Sequence, residues 1–369
     1  MNLIKRAAAI VLMLFSLPVL ADYRLNMHEG VTSFSKGAFE IHTYVMWICL
    51  AIGIIVFGAM FYSILFHRRS KHPEAATFHE STKLEILWTA IPILILITMA
   101  IPATRVLIAE EDTSNSDMSI KVTGYQWKWQ YDYLENGITF FSSLATPQDQ
   151  INNKAKKDKH YLLEVDNPLV IPVNKKVRFL FTGNDVIHSW WVPEFGFKQD
   201  AVPGFINDAW VKIAKPGVYR GQCAELCGQG HGFMPIVVEV KSEADYEAWV
   251  NEKKSAMAAA AASSSKTWTM EELMSHGEKV FTANCAACHQ ANGEGIPNVF
   301  PALKGSPIAT GDVHKHIDTV LHGRTGTAMQ AFGPQLNDAD LAAVTTYERN
   351  AWGNNTGDAV QPSDIKSAR

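Results

Sequence analysis

Hydrophobic positions along this chain change period three times, and each change marks a different kind of element. An apolar stretch over residues 7–20 follows Lys5 and Arg6 and ends in Val19-Leu20-Ala21, a pattern that predicts a secretory signal peptide over 1–21 with cleavage before Asp22. Residues 42–66 are almost free of charge, and residues 84–107 are apolar apart from Glu85 and Arg105 near their ends. Each run is long enough to cross a bilayer as a helix, so 42–107 is expected to form a two-helix transmembrane hairpin after a short periplasmic segment, 22–41. His67, Arg68, Arg69, Lys71, His72 and Lys83 fill the loop between the helices, offset only by Glu74 and Glu80. Positive loops stay in the cytoplasm, which sends residues from 108 onward to the outer side of the membrane.

Beyond 108 the apolar residues alternate. Residues 119–129, 161–165, 176–181 and 236–240 are short β-branched or aromatic runs separated by Gly, Pro and Asn. They predict strands of a β-sandwich or Greek-key barrel over 108–250, with ligands carried on the loops at one end. Tyr125, Trp127, Trp129, Tyr131 and Tyr133 alternate with Gln126, Lys128, Gln130 and Asp132, which gives one wholly aromatic strand face whose ordinary role is core. Residues 134–160, ending in the polar run 152–159, read as an inserted surface loop.

The period then becomes helical. Residues 251–266 form an Ala/Ser-rich linker in which the alanines at 258–262 suit a helical spacer and the following serines loosen it. Residues 272–284 and 338–347 are amphipathic helices of an all-α domain over 267–355, with 356–369 left as a C-terminal tail.

Charge and cysteine usage narrow the chemistry. A formal net charge of −4 with no basic stripe excludes a nucleic-acid binder. Five cysteines cannot all pair in disulfides; Cys49 sits in the first apolar span, where it serves as a small hydrophobe. The other four form two close pairs. Cys223, Cys227, His231 and Met234 lie within twelve positions, and His188 offers a second imidazole from an earlier loop. Soft sulfur with imidazole selects copper. A Cys223–Cys227 disulfide is the competing reading in an oxidising compartment, although it leaves the His and Met unexplained. The second pair stands in Cys285-Ala286-Ala287-Cys288-His289, the spacing of covalent haem c attachment, with two thioethers and His289 on the iron. Met329 is the only methionine after His289, and Met/His ligation raises a haem's potential. His314, His316 and His322 are the alternative second ligands, each otherwise a surface histidine.

The spacing Cys-x3-Cys-x3-His-x2-Met, preceded by His188-Ser189-Trp190, resembles the dinuclear copper (CuA) centre of the cytochrome c oxidase subunit II family. Trp88 and Pro92 in the second span and Gly-Tyr-Gln-Trp-x-Trp at 124–129 are similar to the same family, and residues 267–355 resemble a class I cytochrome c with crossed terminal helices. The resemblance implies a multidomain chain: helix hairpin, all-β cupredoxin-like copper domain, all-α cytochrome c domain. It implies that His188 and Met234 ligate one copper, that His231 and the backbone carbonyl of Glu225 ligate the other, and that Cys223 and Cys227 bridge both. Electrons from cytochrome c would enter at Trp127. Residues 198–204 would contact subunit I near its haem propionates, where Phe205 replaces an arginine of several members. Pro301 would accept the proton of the His289 ring. The Glu225 carboxylate would join a magnesium site shared with subunit I. Glu85 would lie at the mouth of a proton path, or is simply a carboxylate favoured at a helix amino end.

The expected function is that of subunit II in a respiratory haem–copper oxidase of the inner membrane, with subunits I and III as partners. It would pass electrons from a cytochrome c donor through its haem c and dicopper centre to subunit I, where oxygen is reduced and protons are moved. No oxygen chemistry is expected in this chain. The alternatives are the CuA component of a nitric oxide or nitrous oxide reductase and a membrane-anchored copper carrier. From residue 267 onward seven Lys/Arg face eleven Asp/Glu, a balance that suits a basic soluble donor.

Overall fold

The computed structural model describes residues 26–74, 77 and 79–369, so the predicted signal peptide lies outside the described residues. The chain divides into two compact units, one holding the residues through Asp112 with Pro193–Phe197, the other holding Thr113–Val192 and Lys198–Arg369.

In the first unit, α1 (Ser33–Phe66) and α2 (Thr82–Glu111) are both long and apolar enough to cross a membrane. Helix α1 begins nine residues before the predicted span. Thr32 and Ser35 form a reciprocal cap there, which starts the helix inside a polar segment that hydropathy alone excludes. The Tyr44 hydroxyl donates to Thr98 across the hairpin at 3.0 Å. Cys49 is exposed on α1, in keeping with a lipid-facing residue.

The second unit opens with a sandwich of two five-stranded sheets. Strands β1 (Met118–Tyr125), β2 (Lys128–Tyr133) and β3 (Ile138–Ser142) form a meander, followed by the short helix α3 (Gln148–Ile151), β4 (Leu169–Pro172) and β5 (Val177–Gly183). Then come β6 (His188–Trp191), β7 (Lys198–Ala201), β8 (Asn207–Val211), β9 (Gly217–Cys223) and β10 (Pro235–Lys241). One sheet runs β3, β2, β1, β5, β8 and the other β4, β10, β9, β6, β7. Ile120, Val122, Trp129, Tyr131, Phe179, Phe181, Trp190 and Val238 fill the space between them with no exposed surface.

Three strand expectations change. The predicted strand over 119–129 is two strands joined by a turn at Gln126 and Trp127, so the aromatic face consists of Trp129, Tyr131 and Tyr133 on β2 while Trp127 leaves it. Residues 161–165 are turns with a single bridge from Val165 to Leu144. The predicted loop 134–160 contains β3, because Ile138, Phe140 and Phe141 supply an edge partner for β2; its polar run 152–159 is exposed as expected.

Helix α4 (Glu243–Ser263) crosses the boundary set at 250. Trp249 packs on Tyr133 at 5.1 Å and on Phe140 at 6.1 Å, so the front of the helix belongs to the sandwich while the alanine run continues it. The helical domain follows with α5 (Met270–Asn284), α6 (Ala286–His289), α7 (Pro307–Thr310), α8 (Val313–His322), α9 (Asp338–Asn350) and α10 (Pro362–Ala368). Leu273, Phe281, Ile317, Leu321, Leu341 and Val344 form its core. The predicted tail 356–369 is part of that core: Val360 and Ile365 are buried in it, and Arg369 donates to Asp338 at 2.6 Å.

Candidate metal centre

Strand pairing assembles the copper donors. Trp190 of β6 is in register with Cys223 of β9, and the Ala224 amide donates to the Ser189 carbonyl at 2.9 Å. His188 at the start of β6 therefore meets Cys223 at the end of β9, and the donor atoms of His188, Cys223 and Cys227 lie within 4.8 Å of one another. The two thiols are free, with sulfurs 3.8 Å apart. Around them stand the Glu225 carbonyl, 3.4 Å from the Cys223 sulfur, and Met234 Sδ and His231 Nδ1, 3.5 and 3.6 Å from the Cys227 sulfur. Every donor implied by the sequence converges on one sulfur pair.

The fit to copper can be read from His188. Its Nε2 is held by Asp185 Oδ1 at 2.8 Å, while its Nδ1 is fully buried without a hydrogen-bond partner. A buried polar atom left unsatisfied is costly, and a soft metal on Nδ1 removes that cost. Burial disfavours the charged ring, yet Asp185 and the nearby Cys223 outweigh it and raise the pKa of His188. The contact between the thiols pulls the pKa of Cys223 down and pushes that of Cys227 up, because the shared hydrogen bond favours the thiolate on one sulfur and the proton on the other.

Residues that bear no metal shape this end of the sandwich. A β-carbon on Gly124 would lie 2.7 Å from the His188 ring, so only glycine on β1 leaves the imidazole room. Asp185 accepts from the Gln126 amide at 2.8 Å as well as holding His188, which ties the Gln126-Trp127 turn to the ligand loop. Trp127 Nε1 and Gln126 Nε2 both donate to the Cys227 carbonyl, at 3.0 and 2.9 Å. The indole lies against Gly230, where a β-carbon would come within 2.4 Å of the ring. Trp129 Nε1 donates to the Met234 carbonyl at 3.3 Å. Asp185, Gly124 and Gly230 were missed from sequence; the carboxylate three residues before His188 was the available signal.

In the helical domain, Cys285 caps α5, and Cys288 and His289 lie on α6. His289 Nδ1 sits 2.9 Å from the Pro301 carbonyl, an atom that only accepts, so this nitrogen carries the proton and Nε2 is left for iron. Met329 packs against the same core as Cys285. Its backbone is fixed on both sides, the amide donating to Thr327 Oγ1 at 3.2 Å and the carbonyl accepting from Arg324 at 3.0 Å. This donor set fits a covalently held haem. His314 and His322 are exposed as expected. His316 is not a surface histidine: it is 2% exposed and faces Glu348 Oε2 at 2.9 Å.

Residues 118–241 match the periplasmic domain of cytochrome c oxidase subunit II, residues 9–106 its transmembrane domain, and residues 272–347 subunit III of cbb3-type cytochrome c oxidase. A probable cytochrome c oxidase subunit 2 from Rickettsia bellii is 44% identical over 214 residues, 58% of this chain and 78% of that protein. This chain belongs to the cytochrome c oxidase subunit 2 family. The subunit 2 of Cereibacter sphaeroides is 38% identical over 245 residues, covering 61% of this chain and 81% of that protein. The solved periplasmic domain of subunit II of cytochrome oxidase from Bradyrhizobium japonicum is 44% identical, with a TM-score of 0.35, covering 39% of this chain and 97% of that one. As a subunit 2 with a C-terminal cytochrome c domain, the chain is a membrane-anchored component of a haem–copper oxidase, with a periplasmic domain whose family carries CuA and a helical domain whose family carries haem c.

Proposed function

We propose that this subunit receives electrons from a cytochrome c donor on its haem domain and hands them through the Cys223–Cys227 centre to subunit I, where oxygen is reduced and protons are translocated. Cys285, Cys288, His289 and Met329 would hold a haem, and the Cys223–Cys227 end of the sandwich would hold copper; bound there, the two groups would supply one-electron exchange with no bond made or broken. The observation that carries the reading is the convergence of His188, Cys223, Glu225, Cys227, His231 and Met234 on one pair of sulfurs. Cys223 and Cys227 would bridge, His188 and Met234 would serve one copper, and His231 and the Glu225 carbonyl the other.

The chain's own residues supply a fixed frame. Asp185 orients His188, Trp129 holds the Met234 backbone, and the strand pairing of β6 with β9 keeps the two ligand loops in register. A frame that does not move on electron uptake favours fast transfer. Trp127, bonded to the Cys227 carbonyl, is the side chain at which electrons would reach the centre. Phe205, Ile206 and Leu226 on the copper domain are 68%, 68% and 79% exposed, large apolar side chains that a partner such as subunit I would cover. The Glu225 carboxylate would there meet a magnesium ion completed by subunit I, and Glu85, in the first turn of α2, would feed the proton path.

Electron paramagnetic resonance and near-infrared absorption of the full chain loaded with copper and haem test this reading. One electron shared by two coppers gives a multi-line signal beside a low-spin Met/His haem. A single-copper or silent spectrum in loaded protein overturns it.

A further inference from the structure

Gln126 and Lys128 of the sandwich touch the helical domain. Gln330 Nε2 donates to the Gln126 carbonyl at 2.5 Å, and Gln335 steadies Gln330 Oε1 at 3.2 Å. Beside it Lys128, only 6% exposed, reaches from the start of β2 to Asn284 Oδ1 at 3.1 Å. Its ammonium lies 4.4 Å from the Phe141 ring centre on one domain and 5.4 Å from that of Phe332 on the other. On the helical side these partners are placed tellingly: Asn284 precedes the haem-attaching Cys285, and Gln330 follows the axial candidate Met329. On the sandwich side they flank Trp127, whose indole is bonded to the Cys227 carbonyl.

We propose that the Gln126–Lys128 turn is the docking face for this chain's own haem domain, that Lys128 and Gln330 are the positioning residues fixing the docked register, and that a soluble donor delivers to the haem domain rather than to Trp127. The proposal rests on the electron-relay reading above and specifies its internal step. Three features support it. The turn's Gln126 carbonyl and Lys128 side chain are already engaged, so another protein reaches them only by displacing the haem domain. The tether through α4 keeps that domain at high local concentration, which a free donor must outcompete. A buried lysine adds register more than strength, because its desolvation offsets what the two rings and the amide return. Burial indeed drives its pKa down to about 8, against the pull of Asp166.

The test uses the assembled oxidase with Lys128→Glu and, should that change at the β2 start impair folding, Gln330→Glu, which replaces a donor by an anion facing the Gln126 carbonyl. Amide hydrogen exchange at the Gln126–Lys128 turn should accelerate in both variants, and photo-initiated transfer from haem to copper should slow by about tenfold or more as the internal donor loses its effective concentration. The multi-line copper signal, the haem spectrum and the rate at which reduced soluble cytochrome c reduces the haem should stay at wild-type values. In stopped flow on the wild type, haem should be reduced before copper. The docking proposal is overturned if neither variant changes exchange or internal transfer, or if soluble cytochrome c reduces copper in parallel with haem. Absence of the dinuclear signal in the wild type would instead overturn the relay reading itself.

Discussion

The copper end of the sandwich and the haem site of the helical domain use the same residue types, Cys, His and Met, but assemble them by opposite routes. In the helical domain Cys285, Cys288 and His289 sit on one short stretch, and a single carbonyl, that of Pro301, orients the ring. At the copper end the proposed ligand His188 comes from 35 residues before Cys223 and is delivered by the pairing of two strands. One site would be anchored by its own local sequence; the other is a product of the sheet. The copper site should therefore depend on residues that never touch metal, whereas the haem site should depend mainly on its own motif.

The sharpest test of this contrast removes a bridging sulfur. Cys227→Ser should abolish the multi-line resonance and lower oxidase turnover by more than about 100-fold, beyond the effect of any residue outside the ligand set, with the haem spectrum intact. A retained dinuclear signal would mean that the sulfurs do not bridge. Next comes Asp185→Ala, which frees Nε2 of His188 and the Gln126 amide together. Copper affinity should fall by about 10–100-fold, measured by competition with a chelator, while covalent haem attachment is untouched. An unchanged affinity would show that the sheet alone orients His188.

Smaller effects probe the surroundings. Gly230→Ala forces the copper loop off the Trp127 indole and should destabilise the sandwich by about 1–3 kcal/mol, read from a denaturation curve. The smallest effect concerns pH. Burial lowers Lys128 from its ordinary 10.5 to about 8, so between these values the docked seam holds fewer protons than the separated domains. Docking should then strengthen as pH rises from 8 toward 10.5 and weaken as it falls through 8, by at most about 3 kcal/mol; the two flanking rings reduce this because they favour the charge. Exchange rates at the Gln126–Lys128 turn, corrected for intrinsic pH dependence, report the sign. Faster relative exchange at higher pH would contradict it.

The sequence by itself determined the parts whose chemistry is local. Two long apolar runs, the Cys223–Met234 spacing and the Cys285–His289 motif were legible because hydropathy and ligand identity need no partner. Helix bounds and strand number were less so: a cap at Thr32 extended α1 into polar residues, and Ile138–Ser142 gained strand character only by pairing with β2. Period alone placed Trp127 on a strand face, since alternation carries no mark of the tight turn that removes it. His316 read as surface because nothing local signals its burial beside Glu348, and the last residues read as a tail because Ile365 finds its core only in three dimensions. Tertiary structure decided what pairs across distance: His188 with Cys223, Asp185 with both His188 and Gln126, Lys128 with Asn284. Those contacts depend on strand register and domain docking, which are set by the summed burial of many residues rather than by the identity of any one.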